Sequence, residues 1–309
     1  MNIQAGIEEY LASKQNSITK DTYSWYNTFL TKFERYYKES NLTDLTQISI
    51  PHVQKFVASN PKDSEKTRHH KAQIVKGFLN WCSQDEDMGV REKMVRRIEM
   101  PKVVQPEIEI FTELDINNLL RACEKTNHPH RNKAIIHMLL NTGARISELF
   151  YDGDRPEEET GLRIEHLTLG RGSESFIYVM GKRRKTRTIG IGQETSLAVR
   201  RYLNRERRRD GCAYVFVGRD GEPFSVRMIQ QLLDALGEAA HVENCHAYRF
   251  RHTFAVTQLL NGTSDLILMR LMGHSTLEST KIYTRAMSQV QARKAAPSVV
   301  DIMQHPSRP

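Results

Sequence analysis

The sequence predicts a mainly α-helical protein with one small antiparallel β-sheet, arranged as two domains. Three observations predict this. Apolar and aromatic residues recur at steps of three and four through the first hundred residues and again over most of the second half. The period drops to two only once, in residues 175–191. Pro101 and Pro106 bracket KVVQ, an extended stretch lying between two helical patterns.

In residues 19–38, Tyr23, Tyr26, Leu30, Phe33 and Tyr37 keep the spacing of an amphipathic helix. A second helix is expected over residues 66–82. There Ile74, Phe78 and Trp81 share one side, and Arg68, His69 and Lys76 lie roughly opposite as a basic face. Residues 1–100 therefore form a helical domain, and 101–110 form a linker. Beyond it, Thr112 and Asp115 start the helix TELDINNLLRACE with capping-box spacing. The run AIIHMLLNTG is helical, and Gly143 stops it. SFIYVM and TRTIGI read as two strands joined by the basic turn GKRRK. Helical patterns resume at Glu194 and continue to about Ala295, so residues 111–295 form the second domain. The tail, residues 296–309, is short and poorly patterned.

Composition narrows the function. Among 309 residues, 45 Lys and Arg face 37 Asp and Glu, a net charge of +8 before the 12 histidines are counted. That excess favours a polyanionic partner, nucleic acid before membrane, through steering and counterion release. No apolar run approaches the roughly 20 residues of a membrane span. MNIQAGIEEY lacks the pattern of a signal peptide. Cys82, Cys123, Cys212 and Cys245 are scattered without a C-x-x-C pair, as reduced thiols of a cytoplasmic protein would be. His128-Pro129-His130 has no second pair at metal spacing, so no metal or cofactor is expected.

Four segments carry the chemistry: NTGARISELF, MGKRRKTR, YRFRHTFA and LMGHSTLESTKIYT. Their order and spacing closely resemble the active-site boxes of the tyrosine recombinase family, the phage-integrase and XerC/XerD-like enzymes. T-G-x-R-x-S-E-L is matched by residues 142–149, and G-K-x-x-K-x-R by residues 181–187. R-H-T-F-A, L-x-G-H-S and a closing Y-T follow in order. The resemblance covers about residues 111–287, and residues 1–100 fit the family's helical core-binding domain more loosely.

The resemblance implies that DNA strands are cut and rejoined through a 3′-phosphotyrosyl link, without metal or ATP. Tyr283 would be the nucleophile, Arg145 and Arg251 the donors to the phosphate oxygens, His274 a further donor, and Lys182 the general acid. Lys185, on the same turn, is a rival to Lys182 and otherwise a DNA contact. The second arginine of the family directly precedes H-T-F-A, which selects Arg251 over Arg249. From Arg251 to His274 is 23 residues and from His274 to Tyr283 is 9, close to the family pattern. Three positions before Arg251, where the family usually has histidine, stands Tyr248. A tyrosine there keeps a donor but is a poor general base. The H-x-x-R formed by His246 and Arg249 is two residues out of register.

The same kinship implies that Glu148 orients a neighbour, that His252 packs under Arg251, and that Arg68, Lys76 and Arg249 contact DNA. Residues 151–161, YDGDRPEEETG, are inserted relative to the family pattern and read as an acidic surface loop. The expected partners are double-stranded DNA carrying specific sites and three further copies of the chain. A type IB topoisomerase or telomere resolvase would use the same chemistry, and a DNA-binding accessory protein would have lost it.

Overall fold

The protein is described from a computed structural model covering all residues except 105–106, 156–159, 171–173, 182–184, 208–210 and 296–309, with backbone alone at 185 and 293–295. The chain divides into two compact units, Met1–Pro106 and Glu107–Pro309.

The first unit contains α1 (Ile3–Lys14), α2 (Lys20–Glu39), α3 (Ile50–Ala58), α4 (Glu65–Cys82) and the short α5 (Glu92–Arg96). Side-chain caps start three of these helices. Asn2 accepts from the Gln4 amide, Thr19 from Thr22, and Ser64 from Thr67. Each satisfies an amide that the helix itself leaves unpaired. Leu30, Phe33 and Tyr37 of α2 meet Val75, Phe78 and Leu79 of α4 in a fully buried core, joined by Phe56 of α3. Aromatic edges lock it, with Phe33 ring centroids 4.5 Å from Tyr37 and 5.1 Å from Phe56. The basic side of α4 is less solvated than its charges suggest. Lys76 donates to the Ile98 carbonyl at 2.7 Å, and His69 Nδ1 lies 2.8 Å from the Pro101 carbonyl. The end of the unit folds back over this face.

The second unit contains α6 (Glu113–Glu124), α7 (Pro129–Thr142), α8 (Ile146–Leu149), β1 (Leu167–Thr168), β2 (Phe176–Gly181), β3 (Lys185–Gly190), α9 (Gly192–Arg205), α10 (Val226–Ala240), α11 (Ala247–Leu260), α12 (Asp265–Met272) and α13 (Glu278–Ala295). The expected capping box is present: Thr112 Oγ1 accepts from the Asp115 amide, and Asp115 returns the bond to Thr112. Leu119, Ile135, Ile136, Met138, Ile229, Leu233 and Phe250 bring α6, α7, α10 and α11 together around the main core.

The sheet has the antiparallel order β1-β2-β3, with Ile177 opposite Ile189 and Val179 opposite Arg187. Ile177, Val179 and Ile189 are buried, while Phe176 and Tyr178 face outward, which is the alternation a half-buried strand requires. β1 adds a third strand that the sequence pattern did not reveal, because two residues cannot display a period. The helical run after Glu194 is also broken. Between α9 and α10 the chain passes through turns at Gly211 and Gly221, both at positive φ, before Ser225 caps α10.

A smaller core joins α11, α12 and α13 through Phe254, Val256, Leu259, Leu268, Met272 and Ala286. Tyr283 belongs to it.

Candidate active site

The site is built on two helix ends. α7 stops at Gly143 and α12 at Gly273, and both glycines take the left-handed conformation, φ 55° and 63°. A helix that ends this way leaves carbonyls without amide partners and turns its negative end toward them. Arg251, only 4% exposed on α11, fills both ends. Its guanidinium donates to the Gly143 carbonyl and, at 2.8 Å, to the Met272 carbonyl. Arg145 follows α7 and reaches the Gly273 carbonyl at 3.3 Å, with its side chain 37% exposed. The two glycines of the T-G-x-R and G-H segments thus provide the carbonyls that aim the two arginines.

Space is equally restrictive there. A Cβ on Gly143 would lie 2.2 Å from Phe254 Cδ1, and one on Gly273 would lie 2.8 Å from an Arg187 nitrogen. Gly143→Ala is therefore expected to destabilise the unit by about 3 kcal/mol, combining left-handed backbone strain with overpacking. Gly262→Ala is the control, since Gly262 has φ 85° but open space around its Cα. Calorimetry should show Gly143→Ala melting about 6–12 °C below the parent. Equal losses in the two variants would contradict this packing account.

Glu148 anchors the other side. It is 5% exposed and receives Arg187 through two bonds of 2.8 Å, as well as the Arg145 backbone amide at 2.6 Å. Burial alone would raise its carboxyl, but the hydrogen bonds and charges of Arg187 and Arg145 hold it below the usual carboxylate value. Arg187 also donates to the Leu271 carbonyl at 2.8 Å, tying β3 to α12. Arg187 lies in the G-K-x-x-K-x-R segment, yet its role as a brace was not legible there. The acid it pairs with is 39 residues away in sequence.

His274 follows Gly273. Its Nε2 lies 3.0 Å from an Arg251 nitrogen, and its Nδ1 lies 3.0 Å from Oγ1 of Thr280, a fully buried residue. A guanidinium has only donors, so Nε2 accepts here and Nδ1–H faces the threonine. Burial first, then the charges of Arg251, Arg145 and Arg187, pushes the His274 pKa down to about 4. Nothing in the sequence marks Thr280, the second residue of an ordinary Ser-Thr pair.

Tyr283, 2% exposed, is held between two histidines. The His274 ring lies nearly parallel to it at 6.1 Å, and His252 Nδ1 is 3.2 Å from the Tyr283 hydroxyl. Burial raises the phenol above its ordinary pKa, with Arg251 opposing. His252 was expected to pack under Arg251; instead it touches the tyrosine oxygen. Tyr248 is 60% exposed, its ring 5.8 Å from His252. His246 caps α11, its Nδ1 accepting from the Arg249 amide, which accounts for that out-of-register H-x-x-R pair.

Arg249 is occupied by protein. It stacks 4.2 Å over Phe111, donates to the Glu243 and Ile110 carbonyls, and pairs with Asp115. Arg68 donates to the Pro61 carbonyl at 3.2 Å. Lys182 lies outside the described residues, and Lys185 opens β3 with only its backbone described. The inserted segment is anchored at its ends, where Thr160 Oγ1 accepts from the Asp152 amide and Val226 donates to the Tyr151 carbonyl. Residues 156–159 lie outside the described set.

The histidines give stability a pH dependence. Burial lowers His128, His137, His252 and His274 in this unit, the last two to about 4. Between pH 6.5 and 4.5 the unfolded chain therefore binds more protons than the folded one. Their contribution is full above pH 6.5 and is lost as pH falls toward 4. Urea titrations at pH 7 and pH 5 should show lower stability at pH 5, and unchanged stability would contradict the burial of these rings.

A tyrosine hydroxyl, two guanidinium groups and two imidazoles are thus brought together where α11 and α13 meet the ends of α7 and α12. Residues 109–289 match the phage integrase family, and the chain belongs to that family. It is 27% identical over 280 residues to the tyrosine recombinase XerC of Pseudomonas savastanoi pv. phaseolicola, covering 87% of each chain. With XerC of Corynebacterium glutamicum it shares 25% over 260 residues, 82% of this chain and 79% of that one. The fold is similar to that of a chain in the structure of a lambda integrase (75-356) dimer bound to a COC′ core site, TM-score 0.70 at 13% identity, covering 90% of this chain and 97% of that one. It also matches XerH site-specific recombinase bound to difH substrate, TM-score 0.67 at 16% identity, covering 97% and 83%.

Proposed function

We propose that this protein is a site-specific DNA recombinase that cuts and rejoins strands through a covalent 3′-phosphotyrosyl intermediate. Its membership of the phage integrase family supports the reaction. The observation that carries the assignment of groups is the convergence of Arg251, Arg145 and His274 on the pocket of Tyr283.

Tyr283 Oη attacks the scissile phosphorus, and the 5′-oxygen leaves. The pentavalent phosphate gains charge on its non-bridging oxygens. Arg145 and Arg251 meet that charge with planar, permanently charged donors already fixed by helix-end carbonyls, so little reorganisation is needed. His274 joins them once its tautomer shifts. With the Thr280 hydroxyl donating to Nδ1, Nε2 carries the proton and donates to phosphate. Lys182 protonates the leaving 5′-oxygen. Tyr248, exposed at the site's margin, donates a further hydrogen bond to the phosphate. The phosphotyrosine conserves the bond energy, so rejoining needs no ATP.

Lys185 is assigned to the DNA backbone, and so is Arg68, which also donates to the Pro61 carbonyl. Lys76 and Arg249 already hold protein carbonyls and serve DNA binding through the surfaces they brace. The protein acts in the cytoplasm as a tetramer on two sites. No described helix is long and apolar enough to cross a membrane. Nothing favours the topoisomerase, resolvase or accessory readings.

A supercoiled plasmid carrying two copies of the DNA flanking the gene's own locus tests this reading. The expected product is a pair of recombinant circles that requires both copies. Relaxation of any plasmid, with or without the copies, would point to a topoisomerase instead.

A further inference from the structure

Under the recombinase reading, the buried Tyr283 has to lose a proton as it attacks, and Tyr248 is the exposed side chain at the margin of its site. Tyr248 cannot accept it, because a phenol has no basic lone pair near neutral pH. The structure places one basic nitrogen against the reacting oxygen: His252 Nδ1 lies 3.2 Å from Tyr283 Oη, and the two rings stand 5.5 Å apart at 54°. We infer that His252, one position after Arg251, is the general base that takes the Tyr283 proton during cleavage and returns it during rejoining. This rests on the recombinase reading above and deepens it.

Position and environment suit the role. His252 and Tyr248 stand one helical turn apart on α11, with Tyr248 exposed and His252 half-buried against Tyr283 of α13. The titratable and charged groups acting on His252 are His246, Tyr248 and Arg251 on α11, and Tyr283 from α13. Burial first, then His246 and Arg251, keeps the imidazole neutral down to about pH 4, so a lone pair is present throughout the neutral range. Such a weak base cannot hold a free phenolate's proton. It takes the proton as the O–P bond forms, when the phenolic oxygen becomes far more acidic.

The step balances. Tyr283 Oη bonds to phosphorus and its proton passes to His252 Nδ1, while the P–O5′ bond breaks and the 5′-oxygen takes a proton from Lys182. Rejoining reverses each transfer. No external oxidant, metal or co-reactant enters.

The test uses the full-length protein and nicked duplexes cut from DNA flanking the gene's own locus, with formation of the SDS-resistant adduct followed in single turnovers. His252→Asn places an amide oxygen near the Nδ1 position, so it keeps an acceptor for Tyr283 but cannot be protonated. It is expected to cleave about 10²-fold more slowly at pH 7. The parent rate should stay flat from pH 6 to 8, and the His252→Asn rate should rise about tenfold per pH unit as hydroxide takes over. His252→Ala should recover activity with added imidazole, which a purely structural loss would not. Duplex binding by both variants reports folding separately. Full-rate cleavage by His252→Asn, or a slow variant with the parent's flat profile and no imidazole rescue, would overturn the inference while leaving the recombinase reading intact. A parent that binds these duplexes but never forms an adduct would overturn both.

Discussion

Tyr283→Phe is expected to abolish covalent attachment to DNA, lowering cleavage by at least about 10⁴-fold as loss of a nucleophile does. Binding should be almost unaffected. Tyr283 is 2% exposed and packs with Phe254, Leu259 and Met272, and phenylalanine fills that space. The change removes one hydroxyl and leaves His252 Nδ1 without its partner at 3.2 Å, a loss of about 1 kcal/mol in stability. A gel-shift assay beside an SDS gel separates the two effects: the shift should persist and the adduct disappear. Loss of both in a folded variant would mean that Tyr283 helps to hold DNA.

Arg251→Lys should also slow cleavage strongly despite keeping the charge. One terminal guanidinium nitrogen holds the Gly143 carbonyl, and the other holds both the Met272 carbonyl and His274, binding the ends of α7 and α12 to the site. One ammonium cannot span all three in the same plane. Losing a preorganised donor of this kind costs about 10²–10³-fold in rate. Single-turnover cleavage at saturating DNA is the measurement. Because the residue is 4% exposed, the substitution should also lower the melting temperature. A variant cleaving within a few-fold of the parent would show that Arg251 only holds helix ends together.

Much of the fold could be read from the chain. Period-three-and-four spacing located α2 and α4, the Thr112–Asp115 pair marked the start of α6, and Gly143 stopped α7 because the αL cap needs glycine. The hairpin showed its period of two, whereas β1, two residues long, had none to show. Parts of the site were less accessible for a different reason. Motif spacing names residues but not the partners that aim them. Arg187 meets Glu148 from across the unit, Thr280 sets the face of His274, and His252 turns toward α13 rather than under Arg251. The Arg187 and His252 contacts span 39 and 31 residues and are created when α8, β3, α11 and α13 pack, while the Thr280 contact, six residues from His274, depends on how the chain turns into α13. Lys76 and Arg249 taught the same lesson in reverse: spacing and kinship named each as a DNA contact without showing that each also holds a backbone carbonyl.

Tyr283, clamped between His252 and His274, is the proposed nucleophile whose oxygen bonds to DNA. The direct measurement is to trap the parent protein on a nicked duplex in EDTA, digest the adduct with protease, and locate the nucleotide-bearing peptide by mass spectrometry. A phosphodiester is expected on Tyr283 and none on Tyr248. A nucleotide on Tyr248, or on any residue other than Tyr283, would contradict it.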